Sequence, residues 1–320
     1  MNKGTTQASI TSQTIAVEHI RISTGRPFAE VRRKLESTVP RLDTAIAEAL
    51  ARGDQERAKD YEESGPKLSI FEVRDHGALL QIAGRRRNPR ARMRLFCFPY
   101  AGGAASVFRN WSEGLPADVE VCPIQLPGRG TRLMEPPFSR LPLLVEALAV
   151  ALIPLLDRPF VFFGHSLGSL VSFELARRLR ANHQTSPARL IVSAGPAPQI
   201  PHRGEPIHDL PENEFSAELR RLNGTPDDLL NNQELMEIVL PSLRADFALY
   251  ESYRYSSEPP LNCPISTFGG IRDEKVSHRD LEAWRDQTNG SFSIRMFPGD
   301  HFFLNTTQPL VLQALSQELR

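Results

Sequence analysis

The stretch Phe160-Val161-Phe162-Phe163-Gly164-His165-Ser166-Leu167-Gly168-Ser169-Leu170-Val171-Ser172-Phe173-Glu174-Leu175-Ala176 decides how the rest of the chain is read. Phe160 to Phe163 is a short apolar run of the kind that fills a buried parallel strand. It breaks at Gly164, and from Leu167 the apolar residues Leu170, Val171, Phe173, Leu175 and Ala176 recur as on a packed helix. Between the two lies Gly-His-Ser-Leu-Gly, a match to G-x-S-x-G. That pattern needs small residues around its serine, because the strand-to-helix turn is sharp and a Cβ at Gly164 or Gly168 would clash. The turn lifts the Ser166 hydroxyl above the sheet edge. It also leaves the Leu167 amide at a helix N-terminus, where partial positive charge can meet an oxyanion. The bare pattern also arises by chance, but the strand before it and the helix after it favour a nucleophile.

Working outward, strands alternate with helices. Leu95 to Pro99 reads as a strand, followed by the small-residue loop Tyr100 to Ala105 and a helix carrying Val107, Phe108 and Trp111. Further strands are expected at Val119 to Leu126, Arg189 to Ser193, Ile265 to Phe268 and Phe292 to Phe297. Helices are expected at Leu141 to Leu156, Asp280 to Gln287 and Pro309 to Leu319. This alternation predicts an α/β fold with a mostly parallel sheet covered on both faces, its ligand beyond the carboxyl ends of the strands. Between Ala194 and Pro260 the alternation stops. Pro206 to Leu222 and Asn231 to Tyr255 carry helical apolar stripes, the second interrupted by Pro241 as two helices or one kinked helix. Over about 196–258 they read as a helical lid, whose apolar stripes either only pack onto the body or in part also line a substrate channel.

Ahead of this part lies a different pattern. Residues 1–13 are polar and read as a disordered tail. Residues 14–84 combine half-buried strands with helical spacings and read as a small α+β module, an accessory or docking unit without chemistry of its own. Residues 85–93, with Arg85-Arg86-Arg87 and Pro89, read as a linker, so the main domain is expected over 94–320.

Composition narrows the function. Of 320 residues, 40% are hydrophobic, enough for a sizeable core. Basic and acidic residues balance at 38 each, so no excess charge points to nucleic acid or a membrane surface. No apolar run approaches the roughly 20 residues that cross a bilayer, and the N-terminus lacks the apolar core of a secretory signal. Cys97, Cys122 and Cys263 are an odd number in apolar surroundings, which suits buried free thiols in a reducing cytoplasm. No Cys or His pair has metal-ligand spacing, and there is neither a G-x-G-x-x-G after a strand nor a P-loop lysine, so neither metal nor cofactor is expected.

A serine hydroxyl needs a base, and the base needs a third group to hold its tautomer. His301 follows the strand Phe292 to Phe297 through the turn Pro298-Gly299-Asp300, and Asp273 lies just past the strand Ile265 to Phe268. Glu274, Asp280 and Asp300 are the competing acids. Of the other histidines, His165 is expected to point away from its neighbour Ser166. The oxyanion would face the amide of Leu167 and one from the loop after the first strand, that of Ala101 or else Tyr100.

Four stretches stand in the order and spacing of one family: Phe98-Pro99-Tyr100-Ala101-Gly102-Gly103, Leu126-Pro127-Gly128-Arg129-Gly130, Gly164-His165-Ser166-Leu167-Gly168 and Gly299-Asp300-His301-Phe302-Phe303. With Leu243-Arg244-Ala245-Asp246-Phe247 and Glu282-Ala283-Trp284, they resemble the type II thioesterases, α/β-hydrolases that edit polyketide and non-ribosomal peptide synthesis. The resemblance covers about residues 94 to 318. It implies hydrolysis of acyl groups from the phosphopantetheine thiol of an acyl or peptidyl carrier protein, with Ser166 as nucleophile, Asp273 as acid and His301 as base. Residues 1–90 depart from the family pattern and leave open recruitment through an extra module. An acyltransferase, a small-molecule esterase and a non-catalytic binding protein are the alternatives on the same scaffold. The absence of a His-Gly-Gly-Gly run at Phe98 to Gly103 argues against an esterase.

Overall fold

The computed structural model describes residues 88–320, apart from 223 and 226. The expected tail, the α+β module and the first three residues of the linker lie outside the described residues. Six strands form one sheet: β1 (Met93–Phe98), β2 (Val119–Pro123), β3 (Phe160–His165), β4 (Arg189–Ser193), β5 (Ile265–Gly270) and β6 (Phe292–Phe297). Every pairing is parallel, in the order β2-β1-β3-β4-β5-β6. The order reverses between β1 and β3, so the loops leaving those two strands diverge and open a crevice at their carboxyl ends. Strand β1 begins inside the span read as linker. Asn88 and Arg92 already bond to the body there, through the Ala117 and Asp118 carbonyls.

Alternate residues of each strand feed opposite cores, as the period of two requires. Phe96, Phe98, Phe162 and Val192 pack against α1 (Leu141–Leu152), α2 (Leu167–His183) and Trp284. Leu95, Cys97, Phe163 and Ile191 pack on the other face with Phe108, Trp111 and the last helix. All three cysteines are buried and free. Burial pushes the Cys97 thiol well up and Cys263 up to about 11, so both stay protonated at neutral pH.

Several element boundaries differ from the sequence reading, each for a local reason. The helix expected after Ala105 is two 3₁₀ turns, Ala105–Phe108 and Trp111–Glu113, in a span closed off by Gly114. Helix α1 ends at Leu152 and passes into a 3₁₀ turn at Ile153–Leu155, where Pro154 has no amide to continue the ladder. Strand β2 stops at Pro123. The helix expected at Asp280 to Gln287 starts earlier, because Ser277 and Asp280 form a capping box, and then tightens into a 3₁₀ segment at Ala283–Gln287.

The span 196–258 holds α3 (Glu212–Leu222), α4 (Asp227–Leu230) and α5 (Gln233–Glu251). Of the two forms considered for the second stripe, α5 is a single helix that runs through Pro241. Phe215, Leu219, Leu230, Met236, Leu240 and Leu243 give these helices a small core of their own. After β5 and β6 come α6 (His278–Glu282), α7 (Phe303–Thr306) and α8 (Gln308–Glu318).

Candidate active site

Ser166 sits between β3 and α2 with φ 54° and ψ −115°, a conformation costly for any residue with a Cβ. The surroundings enforce it. The Ser166 amide donates to the Ser193 carbonyl at 2.7 Å, and the Ser169 amide donates to the Ser166 carbonyl at 2.9 Å. A Cβ on Gly164 would come within 2.1 Å of the Gly168 carbonyl oxygen, and one on Gly168 within 2.2 Å of the Phe98 carbonyl oxygen. Backbone lies on both sides, so neither position tolerates a side chain. The buried Ser169 hydroxyl ties the turn to β4, lying 2.8 Å from the Gly164 carbonyl and accepting from the Ser193 amide at 3.1 Å.

The Ser166 hydroxyl is 2.9 Å from Nε2 of His301, positioned to donate to it. On the far side of the ring, Nδ1 of His301 donates to the Asp273 carboxylate at 2.9 Å. The loops after β3, β5 and β6 thus bring together side chains 135 and 28 residues apart in sequence. Asp273 is anchored through its other oxygen, which accepts the amides of Lys275 and Val276 at 2.9 and 3.2 Å. Burial alone would push its pKa up. The hydrogen bond and charge of His301, with those two amides, outweigh burial and hold the carboxyl below its usual range. Two of the three alternative acids are engaged elsewhere: Asp280 in the α6 capping box and with Arg203, and Asp300 with the Phe302 amide.

Tyr100 to Gly103 is a tight turn: the Gly103 amide donates to the Tyr100 carbonyl at 2.8 Å, and Gly102 has φ +77°. The Gly102 amide donates to Asp246 at 2.7 Å. Two amides of the loop are therefore committed, while those of Ala101 and Leu167 have no partner among the described residues. Leu243 of α5 lies over this turn, close enough that a Cβ on Gly102 would come within 2.6 Å of its Cδ2. The lid therefore reaches the site directly.

Three features of the site had no readable signal in the sequence. His165 does point away from Ser166, but into a supporting role. Its Nε2–H donates to the His301 carbonyl at 2.9 Å, and its Nδ1 accepts from the Ser193 hydroxyl at 2.9 Å. Fully buried, it has its pKa lowered to about 3, by desolvation first and the nearby His301 second. It is neutral at any ordinary pH. Secondly, Phe302 packs edge-on against Tyr100, walling the site beside His301. Thirdly, Arg129 and Asp246, from two stretches noted only for their resemblance, meet as a buried ion pair 117 residues apart.

The described part of the chain is similar to known proteins along most of its length. Residues 93–319 match the family model described as "Thioesterase domain". The gramicidin S biosynthesis protein GrsT of Aneurinibacillus migulanus is 48% identical over 73% of this chain and 91% of its own length. The structure of the type II thioesterase BorB from the borrelidin biosynthetic cluster is 36% identical, with a TM-score of 0.68 over 74% of this chain and 96% of that one. YbtT, a type II thioesterase from the yersiniabactin NRPS/PKS pathway, is 32% identical, with a TM-score of 0.65 over 73% of this chain and 94% of its own.

Proposed function

We propose a two-step acyl transfer to water for this chain, which belongs to the thioesterase family and is a hydrolase of thioester bonds. The Ser166 oxygen attacks the thioester carbonyl while its proton passes to Nε2 of His301. The tetrahedral oxyanion faces the amides of Leu167 and Ala101. The carbon–sulfur bond breaks, His301 gives its proton to the departing sulfur, and a serine ester remains. Water then attacks the ester with His301 as base, releasing the carboxylic acid and restoring the hydroxyl. Asp273 keeps the proton on Nδ1 and stabilises the transient imidazolium.

The observation that carries this reading is the run of two 2.9 Å contacts from hydroxyl to imidazole to carboxylate. The substrate class is an acyl group on the phosphopantetheine thiol of an acyl or peptidyl carrier protein, removed as an editing step in polyketide or non-ribosomal peptide synthesis. The BorB and YbtT structures support that class. We place the reaction in the cytoplasm, which the free buried thiols suit. No described helix is long and apolar enough to cross a membrane.

Intact-mass spectra of loaded carriers before and after treatment test the reading. The protein should strip the acyl groups and Ser166→Ala should not. Clearance by Ser166→Ala at the parent rate would refute the acyl-serine step. Faster turnover of a simple nitrophenyl ester than of the acyl-carrier would move the substrate class to small esters.

A further inference from the structure

The loop that aims the Ala101 amide is held by two side chains that touch no reacting atom. Asp246 lies on α5 and is fully buried, and Arg129 lies on the loop after β2 with a side chain only 7% exposed. Their contact is two-pronged, with Nη1 donating to one carboxylate oxygen and Nη2 to the other at 2.8 Å. The first of those oxygens also accepts the Gly102 amide at 2.7 Å. The same Nη1 of Arg129 also lies 3.5 Å from the Gly103 carbonyl oxygen of that turn. Its own loop is fixed by Gln125, whose Nε2 donates to the Arg129 carbonyl at 3.0 Å and whose Oε1 accepts the Ala105 amide at 3.1 Å.

A turn of this kind has one soft mode, a flip of its central peptide, here Ala101–Gly102. Asp246 bonds to the N–H of that peptide and fixes its sense. The preceding peptide, Tyr100–Ala101, is planar and trans, so its N–H points opposite to its carbonyl. The Gly103 amide holds that carbonyl, and the Ala101 N–H is thereby directed outward. A lone carboxylate beside a developing oxyanion would oppose the reaction, and Arg129 cancels that charge. We infer that Arg129 and Asp246 are positioning residues for the oxyanion hole, and that the hole is complete only while α5 of the lid is seated on the turn.

This inference rests on the serine acyl-transfer reading, and its test separates the two. Steady-state hydrolysis of an acyl-carrier is measured beside inhibition by an alkyl trifluoromethyl ketone, which adds the Ser166 oxygen to form a tetrahedral oxyanion. Asp246→Ala should lower kcat about 10- to 100-fold with KM within about threefold, part of what a missing oxyanion donor costs. The ketone Ki should weaken by the same factor. Asp246→Asn, which keeps an acceptor for Gly102, should recover most of both losses. Should Asp246→Ala fail to fold because it strands a buried cation, Arg129→Met with Asp246→Leu removes the charge pair and the acceptor together, and carries the same expectation. Parent-like kcat and Ki in the folded variant would overturn the inference, as would a loss confined to KM with Ki unchanged. A parent that binds the ketone yet leaves acyl-carriers intact would refute the carrier substrate, and the ketone alone would then decide the positioning role.

Discussion

The catalytic platform and the lid are built by different rules. In the platform, backbone packs against backbone: Gly164 meets Gly168, Gly168 meets Phe98, and the strands leave no room for a methyl group. The lid helices enclose a core of six buried side chains. Asp246 ties them to Arg129 at the turn, Leu249 of α5 enters the core shared with the sheet, and Glu251 accepts the amides of Ile207 and His208 within the lid span itself. Close-packed backbone deforms little, whereas a helical unit with a core of its own can shift as a body. The proposed nucleophile, base and acid sit on the close-packed part, and the lid brings Asp246 to the turn beside them.

The sharpest way to break this comparison is at the platform's reacting atoms. Ser166→Ala should cost at least about 10⁴-fold in kcat, because no other described residue beside His301 can replace the nucleophile. Pre-steady-state acylation with a fluorogenic thioester measures it. Asp273→Asn should keep the fold and lower kcat roughly 10²- to 10⁴-fold by releasing the His301 tautomer, read from a full pH–rate profile.

Two core truncations sharpen the contrast. Phe162→Ala should destabilise the whole domain by about 3–5 kcal/mol. Phe215→Ala should cost a similar amount within the lid, yet leave protection of the sheet amides against hydrogen exchange unchanged. If both variants loosened the sheet equally, the lid would not be a separate unit.

The smallest effect is in pH. The folded pKa of His165, about 3, lies below its unfolded value near 6.5. Between those values the unfolded chain binds a proton that the folded one refuses. This contribution to stability is therefore whole above pH 6.5 and is lost on acidification, by about 1.4 kcal/mol per pH unit. Thermal melts of the parent and His165→Asn from pH 7 down to 5 should diverge in slope, with the parent steeper.

These contrasts also explain what the sequence could show. Strands β1, β3 and β4 were readable because each is a short apolar run bounded by breakers, and each meets its core on alternate sides. Ser166, Asp273 and His301 were readable because each follows its strand at the first loop, in a fixed chain order; the structure brings all three together. Ala105 to Glu113 was misread because Val107, Phe108 and Trp111 fit a helical spacing by chance, in a span too short to sustain one. The pairing of Arg129 with Asp246 had no local signal. It depends on where the lid folds back, and neither residue's neighbours announce a partner more than a hundred positions away. His165 was placed correctly as facing away, but its grip on the His301 carbonyl is a tertiary fact.

The backbone at Ser166, with φ 54°, has a practical side. Every residue but glycine sits there under tension, so the live protein spends stability to present its hydroxyl. An inert copy made by Ser166→Gly should relax and melt above its parent, by roughly 1 kcal/mol or more of regained stability. Ser166→Ala keeps the tension, and with it the shape of the mouth. As a decoy for trapping loaded carriers the alanine copy is the faithful one, and the sturdier glycine copy is the misleading one.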